Sequence, residues 1–299
     1  MNTVLIYLTG LLLNTRKLLY RKKAGIRKKN LLLNQKKWPY LEAGIRGRAT
    51  IICVHGFGSS KDEFVGIMRH FKSKYHLLAP DMPGSGENPI DEKETYNVAT
   101  LVTKLDSFLR HLGIGSFHLI GSSMGGFITA YYAALFPEKI KSLTLIDAAG
   151  FETPQLSPFW RHYLSTGQNL LIYDTPEGFK EAMSFVHEKP PRIPGFSIRY
   201  FVAEARKKNR TLNKLFNDLL SMEFNPLLDK LSSIEAETLI LWGEKDKVID
   251  VSAIPIFQHH IRNTKTKVFP GVGHAPHIAD LKKVVSEIDE FLAHLGNPR

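Results

Sequence analysis

At 299 residues the chain is long enough for one large α/β domain, or for one domain carrying an inserted subdomain. Its single cysteine, Cys53, excludes an internal disulfide and any CxxC metal or redox site, and its place in the apolar run TIICVHG reads as a small core residue. The formal charge of +11 sits at one end: residues 1–41 hold ten basic residues and no acidic one, which leaves 30 basic against 29 acidic in the rest, so a nucleic-acid-binding body is not expected.

The chain opens MNTVLIYLTGLLLNTRK, in which Val4–Leu13 is a mostly apolar run. As a helix that run covers about 15 Å, roughly half a bilayer's hydrocarbon core. No positive residue precedes it and no A-x-A-like site follows, so it makes a poor cleavable signal. An apolar run followed by dense Lys and Arg reads, over residues 1–35, as a membrane anchor or an interfacial helix facing anionic headgroups. The positive flank would keep the domain that follows on the cytoplasmic face. The plainer alternative is a helix packed on the protein or on a partner chain.

Beyond this tail, short apolar β-type runs alternate with helical periodicity, the pattern of a mostly parallel sheet. Strands are expected at 49–56, 76–84, 117–123 and 142–150, with helices over 98–112 and 125–136. Residues 151–235 break the rhythm with six prolines between 154 and 194, many aromatics and helical patches, which reads as a helical insertion. Strands resume at 237–246 and 265–274, with helices near 252–262 and 277–294. The expected domains are therefore a core of 36–150 and 236–299 and a helical cap of 151–235.

The run LIGSSMGGFITAYYAALFP holds two adjacent serines, and only Ser123 has glycine two residues to either side, at Gly121 and Gly125. G-x-S-x-G between a strand and a helix is a nucleophile turn: small neighbours let strand and helix approach while the serine projects from the sheet. A serine hydroxyl needs a base to take its proton, and imidazole suits that work near neutral pH. Among twelve histidines, His274 lies in the loop between the last strand and the last helix, whereas His277 falls in that helix's first turn and His55 precedes another loop. The base needs an anion to orient it, and Asp246 follows the 237–246 strand. Glu244, Asp250 and Asp147 compete for that place, Asp147 because it follows the strand after the nucleophile. Two N–H donors for an oxyanion are expected at Met124, after the serine, and at Phe57 in HGFGSS.

Together HGFGSSKDEF, DMPGSGEN, GSSMGG, LWGEKDKVIDVS and GVGHAPH resemble the α/β-hydrolase superfamily over nearly all of residues 45–295. More narrowly, the chain looks like the membrane-associated monoacylglycerol lipases of the α/β-hydrolase-domain group and related bacterial lipases and esterases. The resemblance implies an α/β-hydrolase fold, with a mostly parallel central sheet flanked by helices and a helical cap inserted after the sixth strand. It implies Ser123, Asp246 and His274 as a catalytic triad and Phe57 and Met124 as the oxyanion hole. One motif departs from the pattern, since the loop after DMPG reads GSGEN where a second serine is more usual.

The insertion is rich in large apolar residues, and Phe151, Phe159 and Trp160, with Phe57, are candidates for an acyl-chain wall. The expected chemistry is hydrolysis of a lipid carboxylic ester through an acyl-enzyme, with no cofactor or metal, since no HExxH-type ligand spacing occurs. A short-chain carboxylesterase or a carbon–carbon bond hydrolase would use the same triad, and a non-catalytic hydrolase-like receptor would use the same fold. Serine at position 123 argues against an epoxide hydrolase or a dehalogenase, which would ordinarily need aspartate there.

Overall fold

The computed structural model describes residues 3–33, 35–221 and 226–296. Helix α1 (Thr3–Lys23) leads into two strands, β1 (Arg27–Leu33) and β2 (Lys36–Gly44). Strands and helices then alternate: β3 (Thr50–Val54), α2 (Val65–Phe71), β4 (His76–Pro80), α3 (Val98–His111), β5 (Phe117–Ser122), α4 (Met124–Leu135) and β6 (Ile140–Ile146). Three helices follow, α5 (Pro158–Thr166), α6 (Pro176–Val186) and α7 (Gly195–Leu220). The chain then returns through β7 (Thr238–Gly243), α8 (Ile254–His260), β8 (Thr264–Phe269), α9 (Pro276–Ala279) and α10 (Leu281–His294).

The eight strands form one sheet in the order β1-β2-β4-β3-β5-β6-β7-β8. Strands β3 to β8 run parallel, and β1 and β2 extend the β4 edge with antiparallel pairing. This is the expected mostly parallel sheet, with a helical insertion after the sixth strand. Every residue of β3, β4, β5 and β7 is buried, which is why these strands read as unbroken apolar runs rather than as alternations. One core lies between the sheet and α3, α4 and α8, around Phe108, Tyr132, Trp242 and Phe257. The other lies under α2 and α10, around Phe71, Ile288 and Phe291.

At the N-terminus the structure differs from the sequence expectation in two ways. The helix does not stop with the apolar run at Leu13 but continues through the basic residues to Lys23. The segment from Arg27 to Leu33, read above as tail, is an edge strand paired with β2 from Arg27↔Glu42 to Leu33↔Lys36. An edge strand is half-solvated, and positive side chains such as Arg27, Lys28 and Lys29 block further strand pairing. Those charges hide the strand from a reading based on apolar runs. At the other end, the expected helix over 277–294 breaks at Asp280, whose carboxylate accepts the Lys283 N–H and starts α10.

α1 lies on α7 of the insertion along a narrow seam. Gly10 meets the Tyr200 ring so closely that a Cβ would come within 2.6 Å of it. Asn14 contacts the Tyr200 hydroxyl at 3.5 Å, and Lys17 and Arg21 both pair with Asp62, Arg21 Nε at 2.6 Å. Positions 10, 14, 17 and 21 share one helix face. The contacts of that inward face are small or polar, with Ile6 and Leu13 half-buried beside them, while Tyr7, Leu8, Leu11, Leu12, Leu18 and Leu19 face solvent.

Candidate active site

Ser123 is the hinge between β5 and α4, with φ 55° and ψ −119°. A non-glycine residue in that region is strained, and its neighbours hold it there. Its N–H donates to Ile146 O at 2.9 Å, and its carbonyl accepts from Phe127 N at 3.1 Å and Ala149 N at 3.1 Å. The flanking glycines are needed for close approach: a Cβ on Gly125 would lie 2.0 Å from Val54 O, and one on Gly121 would lie 2.3 Å from Gly125 O. The spacing read from the sequence is thus a packing requirement at the crossing of β3, β5 and α4.

His274 reaches this serine from the loop between β8 and α9, with Nε2 2.9 Å from Ser123 Oγ. Its Nδ1 lies 2.7 Å from Asp246 Oδ2, in the loop after β7. The other carboxylate oxygen, Asp246 Oδ1, accepts from Val248 N at 2.7 Å and Ile249 N at 3.0 Å. With Asp246 an anion, Nδ1 carries the imidazole proton and Nε2 is left to accept from the serine hydroxyl. The histidine is also tied to the insertion, its backbone N–H donating to Val186 O at 2.8 Å.

The competing carboxylates are engaged elsewhere. Glu244 accepts from Gly271 N at 3.0 Å, and Asp250 caps the turn at 251–253 by accepting from Ser252 N at 2.9 Å. Asp147 is fully buried, and its Oδ1 accepts from Gly243 N at 2.8 Å.

Beside the serine, the HGFG loop presents two consecutive N–H groups. That of Gly56 donates to Glu63 Oε2 at 3.1 Å. That of Phe57 donates to no protein acceptor among the described residues, and neither does that of Met124 at the start of α4. Both are positioned by elements that meet at Ser123, and a Cβ on Gly56 would lie 3.3 Å from the Cβ of Ser123.

Sequence reasoning passed over the groups that brace this loop. His55 accepts the Met82 N–H through Nε2 at 3.0 Å and donates from Nδ1 to Gly56 O at 2.9 Å. Lys61 is buried, with its ammonium 2.5 Å from Asp81 and 3.0 Å from Glu87. Glu63 is bonded to His277 Nε2 at 2.9 Å, which ties the loop after β3 to α9. Burial pushes the Glu63 carboxyl up, but the hydrogen bond and charge of His277 outweigh it and hold the carboxyl at about 2. The signals were present as the KD of HGFGSSKDEF and as the two histidines spaced three apart in GHAPH. Cys53 sits beneath, its thiol pushed up by burial and out of the nucleophilic range.

The proposed acyl wall divides. Phe57, Trp160 and Phe159 gather around Phe216 of α7, with ring centroids at 5.7, 6.3 and 6.5 Å, and Tyr163 joins at 5.1 Å. Phe216 was not singled out from the sequence because it lies in an otherwise ordinary amphipathic helix. Phe151 instead packs on Phe257 of the core at 4.8 Å. Other aromatics of the insertion hold it together, as in the stacked Phe179 and Phe201 rings at 5.8 Å.

Comparison with known proteins adds to this geometry. Residues 49–281 match the family model for the alpha/beta hydrolase fold. The chain is 30% identical to Lipase 1 of Psychrobacter immobilis, over 93% of this chain and 88% of that one. It is 29% identical to monoacylglycerol lipase abhd6-A of Xenopus laevis, over 92% and 85%. Among solved structures it is similar to a membrane phospholipase A, a bacterial virulence factor. That likeness has a TM-score of 0.92 and 31% identity, over 97% of this chain and 93% of that one.

Proposed function

We infer the reaction from one premise: the chain belongs to the α/β hydrolase fold family. It is a serine hydrolase that cleaves a carboxylic ester of a lipid, releasing a fatty acid. The observation that carries this reading is the unbroken hydrogen-bonded chain from Ser123 Oγ through His274 to Asp246, at 2.9 and 2.7 Å.

Ser123 Oγ attacks the ester carbonyl carbon while His274 Nε2 takes its proton, and Asp246 stabilises the resulting imidazolium. The carbonyl oxygen becomes an oxyanion and is met by the N–H groups of Phe57 and Met124, the latter at the positive end of α4. The ester C–O bond breaks, and the leaving alcohol takes the proton from His274. Water then gives a proton to His274 as its oxygen attacks the acyl-enzyme. The fatty acid departs, and Ser123 regains its hydrogen.

A lipid acyl group is favoured by the aromatic wall around Phe216, because each CH₂ buried there contributes about 0.8 kcal/mol. The lipid names of the relatives point the same way: a lipase, a monoacylglycerol lipase and a membrane phospholipase A. The surface of α1 supplies the meeting place. No described helix is long and apolar enough to cross a membrane. α1 nevertheless turns its polar seam inward and most of its leucines outward, the reverse of an ordinary surface helix. It therefore lies in the interface, with its Arg16, Lys22 and Lys23, and Arg27 of the following strand, toward the anionic headgroups of the cytoplasmic leaflet.

A fluorophosphonate probe and an acyl-chain series from p-nitrophenyl acetate to long-chain monoacylglycerols test the reading. Labelling and turnover are expected in the wild type, and the Ser123→Ala variant is expected to lose both, turnover by about 10⁴-fold or more. Folded wild-type protein that takes no label would end the enzyme reading, and a preference peaking at acetate would end the lipid one.

A further inference from the structure

Asp147 has no part in the reaction just described, yet it is buried beside it. It follows β6 directly and sits at φ 45°, in the left-handed region that few residues other than glycine, asparagine and aspartate adopt. Its backbone N–H donates to Leu241 O at 3.0 Å and its Oδ1 accepts from Gly243 N at 2.8 Å. Its Oδ2 is buried and has no hydrogen-bond partner among the described residues. One carboxylate oxygen of Asp147, one of Asp246 and one ring nitrogen of His274 all lie within 4.8 Å of one another.

Two carboxylates this close in a dry interior cannot both be ionised, so one of them holds a proton. Asp246 is equipped to be the anion, with two backbone N–H groups and the His274 ring around it. Asp147 has one backbone N–H. Burial, and then the charge of Asp246, hold the Asp147 carboxyl well above the ordinary carboxylate range. A protonated Oδ2 needs an acceptor, and the Asp246 carboxylate is beside it.

We propose that Asp147 is a positioning residue, a neutral carboxylic acid whose Oδ2–H is donated to Asp246, so that the chain from Ser123 through His274 and Asp246 has a fourth member. The proposal rests on the triad reading above. The Asp147 proton stays in place through turnover. By sharing the Asp246 charge, it reduces what an imidazolium at His274 gains from that charge and so keeps His274 less basic. The other titratable groups around the site are His187 at the end of α6, His55, and the Glu63–His277 pair, with Lys247 and Glu188 bonded to each other at 2.8 Å. Burial lowers His187, and the charges of His274 and His277 lower it further. Among the described residues none of these groups hydrogen-bonds Asp147, so its substitution acts through Asp246.

The test is the pH dependence of kcat/KM in the wild type, Asp147→Asn and Asp147→Ala. Asparagine tolerates positive φ and keeps a donor, so its acid limb is expected to coincide with that of the wild type. Alanine removes the donor, and its limb is expected to move up by about half to one pH unit. An ionised Asp147 would predict the opposite, a downward move in both variants. That result, or an alanine limb that stays in place while only kcat or yield falls, overturns the proposal. Infrared spectroscopy at neutral pH reads the proton directly even if the alanine variant does not fold. A protonated-carboxyl stretch is expected in the wild type and should vanish in Asp147→Asn, and absence of such a loss overturns the proposal. Fluorophosphonate labelling separates the two levels: an unlabelled wild type sinks the triad and this inference together, whereas a labelled one with the wrong limb shifts sinks only the inference.

Discussion

Replacing Leu8, Leu11 and Leu12 of α1 together by glutamine is expected to detach the protein from membranes without unfolding it. The three side chains are 53%, 57% and 61% exposed and lie on the face away from α7. Fully burying a leucine contributes about 1.5–3 kcal/mol, so burying the exposed fractions in a bilayer interface contributes about 1–1.5 kcal/mol each. The triple substitution therefore removes about 3–4.5 kcal/mol of membrane binding, or about 10²–10³-fold in partition. Flotation with phosphatidylcholine vesicles, with and without phosphatidylglycerol, reads that partition. Rising salt should weaken the residual binding to the anionic vesicles, because the headgroup attraction is screened. The melting temperature and the turnover of a soluble short-chain ester should stay near wild type, since exposed positions rarely change stability by more than about 0.5 kcal/mol. Unchanged flotation by a folded triple variant would refute the interfacial role of α1 and leave its outward leucines to a protein partner.

Two further predictions concern the braces of the HGFG loop. Lys61→Met removes the buried cation between Asp81 and Glu87 and strands the Asp81 carboxylate, which is expected to cost about 3–5 kcal/mol in chemical denaturation; a loss below about 1 kcal/mol would show that Asp81 finds another partner. For Glu63→Gln the effect depends on pH. The folded carboxyl titrates at about 2 against an ordinary 4.5, so its stabilisation is complete above about pH 4.5 and disappears as pH falls through about 2. Urea unfolding should show a gap between wild type and variant on the order of 2–3 kcal/mol at neutral pH, shrinking below pH 4.5. A gap that is the same near pH 3 as at neutrality would mean that the charge is not what holds the loop to His277.

Much of this molecule could be read from local pattern. Strands buried on both faces announce themselves as apolar runs, and the glycines around Ser123 announce a turn too tight for any Cβ. The two N-terminal strands were not legible in this way, because the edge strand Arg27–Leu33 is half-solvated and its charges resemble a tail. Local pattern also left four carboxylates in contention for His274. Their fates were settled by crossovers of the sheet: the strand order brings the loops after β5, β7 and β8 to one edge, and Ser123 and His274, 151 positions apart, come within 2.9 Å. The same packing occupies Glu244 and Asp250 with backbone donors and buries Asp147 against Asp246. In α1 the sequence determined the composition, and the tertiary structure decided which face points outward. The reason is that Tyr200 and Asp62, which select the inward face, lie far away in the chain. Periodicity is a property of neighbours within a few residues and is written in the sequence directly. Which carboxylate keeps a proton, and which face of a helix meets water, depend on groups that only folding brings together.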